Sequence, residues 1–284
     1  MKRIGILTNP HYPETRELAT RIQESLRQRG SEVTCSTAES EEVNAVLPSG
    51  LDLLITLGGD GTVLRAAHLV AATGTPILGI HMGRLGFLAE VRSTDWDASL
   101  ADVVAGKYWL EERSMLFGRL HRDGVTRGPW EALNEIVIGR GRISHVLQLA
   151  TYVDDGYFTT YVADGLIVAT ATGSTAYALS AGGPILPPEL HNMLLVPICP
   201  HLSLERTIVL DEGATVTVRV ESAGEGLMVV DGIAEADLRV GDQIVMAISP
   251  HVTRFVRLYD RRQVYESLME RLQPRKVIKP NDGC

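Results

Sequence analysis

A single carboxylate stands inside a glycine-rich loop, Gly58-Gly59-Asp60-Gly61-Thr62, between a near-continuous apolar run over residues 51–57 and a helical pattern over 62–72. In an open α/β sheet, ligands gather at the carboxyl ends of the strands. Glycines there let the backbone approach a phosphate, and the start of the following helix offers unpaired N–H groups. Gly58, Gly59 and Thr62 thus form a candidate phosphate loop, and Asp60 is placed to take a hydroxyl proton or to hold a metal. Asp-Gly is also a common turn, and this chain has it at positions 60, 123, 155, 164, 231 and 282. Position 60 differs in its two preceding glycines and its strand–loop–helix context; most of the others read as turns and nothing more.

Absences narrow the chemistry. The only lysines are Lys2, Lys107, Lys276 and Lys279, none in a glycine-rich loop, so a Walker A phosphate loop is excluded. The protein-kinase pattern fails for want of its strand lysine and catalytic loop. No G-x-G-x-x-G fingerprint separates the first strand from the first helix, which argues against an ordinary dinucleotide-binding dehydrogenase.

Two further stretches could grip a ligand. Thr170-Ala171-Thr172-Gly173-Ser174-Thr175-Ala176-Tyr177, continuing through Ser180 to Gly182-Gly183-Pro184, packs hydroxyls and small residues behind an apolar run over 166–169. Such a segment can wrap a ligand closely. It also reads as a capped helix, with Ser174 or Thr175 at its start and Gly182 at its stop. Asn134-Glu135 interrupts the apolar run over 132–138. An Asn amide can pair with the N6/N7 edge of adenine, and a carboxylate can accept from a ribose hydroxyl. Alternation in a half-solvated strand gives the same pattern.

The elements that must position these residues fall into two textures. Strand-like runs at 4–7, 32–36, 51–57 and 76–80 alternate with helical spacing at Leu18, Ile22 and Leu26 and over 62–72. That alternation means an open α/β layer with a mostly parallel sheet. After about residue 112, short alternating runs follow at 115–120, 131–138, 146–153, 159–163, 166–169, 208–220 and 243–248. They predict a β-rich, sandwich-like domain over 113–250. Val264, Leu268 and Leu272 mark one amphipathic helix in a C-terminal segment, 251–284, expected to return to the first domain, 1–112.

With 284 residues, 45% hydrophobic and 22% charged, the chain is an ordinary globular protein of two modest domains. Its net charge of −8 argues against a nucleic-acid or anionic-membrane partner. No apolar run approaches the ~20 residues of a membrane helix. Cys35, Cys199 and Cys284 are isolated and lack metal-ligand spacing, which points to the reducing cytoplasm.

Gly58-Gly59-Asp60-Gly61-Thr62, the run from Leu78 to Leu88, Leu133-Asn134-Glu135, and Asp164-Gly165 with Thr172 to Pro184 together resemble the NAD kinase family, in its order and spacing. The first motif alone is shared with diacylglycerol, sphingosine and phosphofructokinases; the set is specific. The resemblance implies an N-terminal α/β domain, a C-terminal β domain and a site between them in a homodimer or homotetramer. It implies that Asp60 is the catalytic base with Gly61 beside the substrate, and that Phe87, Asn134, Glu135 and His145 contact NAD. Asp164 would match an acid on the adenine or nicotinamide side, and Thr175, Ala176, Tyr177 and Ser180 the ligand-wrapping segment. ATP (or polyphosphate) with Mg²⁺ or another divalent metal would supply the phosphoryl group. The chain departs from the family in places: His81 stands for its usual Asn, Ala171 for a Pro and Ile233 for a Gln, and the stretch from Pro200-His201 to Arg206-Thr207 keeps only its flanking pattern. The expected reaction is phosphorylation of the 2′-hydroxyl of the adenosine ribose of NAD. A lipid or sugar kinase with the same loop is one alternative, and a non-catalytic NAD or NADP sensor another.

Overall fold

Ile4 and Ile6 are buried on one face of strand β1 (Arg3–Thr8) and Leu7 on the other, as a strand lying between two helical layers requires. The computed structural model describes residues 1–39, 50–83, 86–141, 146–201, 203–221 and 226–260. The parallel strands β2 (Glu32–Thr37), β3 (Leu53–Gly58) and β4 (Ile77–His81) join β1 in the order β4-β3-β1-β2, with a short β5 (Val91–Arg92) beyond β4. One face is covered by α1 (Glu14–Gln28), through Leu18, Ile22 and Leu26, and by α3 (Trp96–Val104), through Leu100 and Val103. The other face is covered by α2 (Asp60–Val70), through Val63, Ala66, Ala67 and Val70.

The second half is two packed sheets. β6 (Trp109–Arg122), β7 (Val125–Ala132), β9 (Leu147–Val153), β10 (Gly156–Ala163), β14 (Thr215–Val220) and β17 (Gln243–Arg257) extend the first sheet. A separate antiparallel sheet runs β13 (Ile208–Leu210), β12 (Met193–Ile198), β11 (Gly165–Ala169), β8 (Glu135–Arg140), β15 (Gly226–Val230), β16 (Ile233–Leu238). Their inner faces meet in one core that includes Leu116, Leu120, Ile136, Ile138, Val168, Met193, Val216 and Met246.

Strand β17 joins the halves. Its first part lies between β6 and β14, and after a register shift between Ile248 and Val252 its second part continues along β6 while Phe255 pairs with Ile77 of β4. Residue 250 therefore falls inside one strand, and the return toward the first half is made by β17 itself. The helix expected around Val264, Leu268 and Leu272 lies outside the described residues.

Two runs read as single strands are each divided between the two sheets. Residues 131–138 break after Ala132, and 208–220 break after Leu210. In the first case the cause is local. The N–H groups of Leu133, Asn134 and Glu135 all donate to the Asp231 side chain, so the chain can leave one sheet and enter the other with those donors satisfied.

Candidate functional site

Helix α2 starts directly at the carboxyl end of β3, and its cap residue, Gly59, is extended (φ −99°, ψ −171°) with no side-chain cap. The first N–H groups of a helix lack the usual partner one turn back; here the Thr62 N–H turns to the Gly59 carbonyl at 3.0 Å, and no capping side chain takes those of Asp60 and Gly61. Asp60 opens that helix. Its carboxylate accepts the Phe87 N–H at 2.8 Å and the Leu88 N–H at 3.2 Å, which ties the loop after β4 onto the start of α2. The contact depends on Gly86, where a Cβ would overlap the Asp60 carboxylate.

The far side of that loop is fixed by charge. Arg257, on β17, donates to the Leu88 carbonyl at 3.0 Å and pairs with Glu90 at 3.1 Å and with buried Glu111. Arg113 also pairs with Glu111, and both guanidiniums lie over the Phe255 ring. Burial pushes the Glu111 pKa up, but the charges and hydrogen bonds of Arg113 and Arg257 outweigh it, and the net direction is down.

The second cluster forms where β8, β11 and the β15–β16 turn meet. Asp231 has a left-handed backbone (φ 45°) in that turn, and its side chain is fully buried. One oxygen accepts from Asn134 N (2.9 Å) and Glu135 N (3.0 Å); the other accepts from Leu133 N (2.7 Å) and lies 2.8 Å from His68 Nε2 on α2. Beside an acceptor-only carboxylate, that ring nitrogen is the donor. Glu135 has one carboxyl oxygen buried with no partner. Its pKa is pushed up to about 7, first by burial and then by the Asp231 charge, against a hydrogen bond from the Tyr177 N–H. The Asn134 amide side chain is half-buried and bonds to no described residue, so it too is available to a ligand.

The 170–183 segment folds against this cluster. Thr170 Oγ1 donates to Leu133 O at 2.6 Å and accepts from Gly173 N, while Thr170 N donates to Asn134 O. A Cβ at Gly173 would overlap the Asn134 backbone, so this close approach needs glycine. Ser174 and Thr175 donate to the Ala171 and Thr172 carbonyls. Neither caps a long helix. A 3₁₀ turn (Gly173–Thr175) leads instead into the four-residue α4 (Tyr177–Ser180), and Gly182 (φ 87°) follows as the stop. Thr170 and Ser174 are thus buried scaffold; the exposed surface is offered by Tyr177 and Ser180, with Thr175 and Ala176 partly open.

One expected contact stands apart. Asp164 pairs with Arg140 at 3.1 Å, five residues along β11 from Ala169, the partner of Glu135. That is roughly 16 Å at strand rise. His145 lies outside the described residues. Sequence reasoning missed Asp231 and His68. Asp231 does make an Asp-Gly turn; its second role as acceptor for a distant segment leaves no local pattern.

Among the described residues, no three His, Cys, Asp or Glu side chains gather as a metal-ligand set, and no helix is long and apolar enough to cross a membrane.

The NAD kinase C-terminal domain (ATP-NAD kinase C-terminal domain) matches residues 133–258, and the N-terminal domain of the same family matches 35–108. The chain is 40% identical over 273 residues to an NAD kinase of Chloroflexus aurantiacus, covering 96% of this chain and 99% of that one. It is 42% identical over 284 residues to an NAD kinase of Moorella thermoacetica, covering 96% and 90%. Among solved structures, it resembles yeast NADH kinase complexed with NADH, with TM-score 0.83, 27% identity and coverage of 98% and 90%. An Archaeoglobus fulgidus NAD kinase in complex with ATP is similar at TM-score 0.74, 27% identity and coverage of 95% and 98%.

Proposed function

The chain belongs to the NAD kinase family, and we propose that it phosphorylates the 2′-hydroxyl of the adenosine ribose of NAD with ATP, giving NADP and ADP. The observation that carries this reading is the join between the halves. The Asp60 carboxylate at the start of α2 and the open polar groups of Asn134 and Glu135 are tied together through His68 and Asp231.

Asn134 and Glu135 hold the adenosine portion: the amide reads the adenine edge, and the buried, unpartnered Glu135 oxygen accepts a hydroxyl. Tyr177 and Ser180 close over it. Asp60 takes the proton of the attacking hydroxyl. The ribose oxygen bonds to the γ-phosphorus as the bond to the β,γ-bridging oxygen breaks, and ADP leaves. With no lysine in the loop, the uncapped start of α2 supplies N–H donors to the transferring phosphoryl group. A Cβ at Gly59 or Gly61 would meet open space, so chain packing does not demand glycine there and room remains for phosphate.

A divalent cation brought by the triphosphate fits this donor set. Mg²⁺ keeps most of its waters and takes one or two carboxylates plus phosphate oxygens, and Asp60 is the one acid in the loop. When bound, it neutralises charge on the phosphates.

Asp164 is too far along β11 to join Glu135 directly, and an assembly in which a second copy brings its own Asp164 to the site accounts for it. This is the support for a homodimer or homotetramer. The free thiols Cys35 and Cys199 fit a cytoplasmic setting. Incubation with NAD, ATP and Mg²⁺ tests the function. NADP formation is expected; NAD binding without NADP would indicate a sensor instead.

A further inference from the structure

His68 is the eighth residue after Asp60 on α2, about 12 Å along the helix axis. Its hydrogen bond, among the described residues, is not to the loop around Asp60. Its Nε2 instead reaches Asp231 Oδ2 at 2.8 Å, and the same carboxylate takes the N–H groups of Leu133, Asn134 and Glu135. One buried carboxylate therefore fixes the backbone of the ligand-holding segment and also ties it to the helix that starts with Asp60. Beside this bond, Leu133 packs in the same core cluster as Val63 and Ala67 of α2. Apolar packing holds such surfaces together but leaves sliding between them weakly resisted; a directional hydrogen bond fixes the register.

We propose that His68 and Asp231 are a positioning pair that sets the Asp60 helix against the 133–135 segment, so that a hydroxyl held by one half meets the carboxylate on the other. The proposal rests on the NAD kinase function above and names residues of that site that touch neither substrate. Displacement of reacting groups by about 1 Å can cost on the order of 10²-fold in rate.

His68 is the residue to change. It is partly exposed, and its removal leaves three N–H donors on Asp231, so the fold is retained. Wild type, His68→Leu and His68→Gln are compared for NADP formation, NAD dissociation constant and thermal melt. His68→Leu is expected to lower kcat by roughly 10- to 100-fold with NAD binding nearly unchanged, because Asp231 still organises residues 133–135. His68→Gln, which restores an N–H donor on the same helix face, should recover most of that loss. Full kcat in His68→Leu overturns the pair. So does a loss that His68→Gln fails to relieve and that follows the melting temperature, which marks plain structural support. NADP formed by wild type alongside either result leaves the function standing; no NADP from wild type removes the function and the pair with it.

Discussion

A Cβ at Gly86 would overlap the carboxylate of Asp60. The obstacle is the end of a side chain, so a larger residue at 86 moves the carboxylate before it breaks the fold. Gly86→Ala is therefore expected to lower kcat at least about tenfold through misplacement of the Asp60 carboxylate, with a melting temperature within a few degrees of wild type. Steady-state kinetics beside a thermal melt check this; full activity would show that the Asp60–loop contact is dispensable.

Glu135 gives the free protein a pH signature. Its pKa is raised from 4.5 to about 7 in the folded chain. Below 4.5 the group is neutral folded and unfolded; from there to about 7 the unfolded chain loses the proton first, so stability falls as pH rises. The loss amounts to at most about 3 kcal/mol across that window. Glu135→Gln lacks the ionisation, and its melting temperature should gain on wild type between pH 5 and 8; parallel curves would contradict it. A hydroxyl donating to Glu135 favours the anion, so NAD binding near neutral pH should release protons, measurable by calorimetry in buffers of different ionisation enthalpy.

Asn134 contributes its backbone to the Asp231 cluster and leaves its amide free for a ligand. Asn134→Ala keeps the backbone bonds and removes only the amide. NAD binding should weaken by roughly five- to a hundredfold, from about 1–3 kcal/mol for a ligand group left unpaired. Unchanged affinity in a folded variant would return Asn134 to a purely structural place.

The parts of this site legible in the sequence are those whose cause is local. The Asp60 loop announced itself because a buried strand, glycines and a helix start are adjacent in the chain. The 170–183 segment did so through its small and hydroxyl residues. The division of 131–138 between two sheets was hidden because what breaks the run is Asp231, nearly a hundred positions away. Alternation alone cannot reveal that three N–H groups are claimed by a distant carboxylate. The buried duty of Thr170 and Ser174 was hidden likewise: a hydroxyl suits a ligand or a nearby carbonyl equally, and only the fold decides. β17 read as a strand over 243–248, because the register shift after Ile248 disrupts alternation before the second part begins.

The most direct measurement is kcat of Asp60→Asn with a parallel NAD dissociation constant. Both oxygens of Asp60 accept backbone N–H groups, and Asn can satisfy only one, so a melt reports the unmade bond, about 1–3 kcal/mol. Loss of a general base costs about 10²–10⁴ in rate. The expected result is a kcat lower by that factor, with NAD binding largely kept by Asn134 and Glu135. Retention of more than about a tenth of wild-type kcat, short of the smallest loss of a base, would contradict the assignment and leave Asp60 as an anchor for the loop.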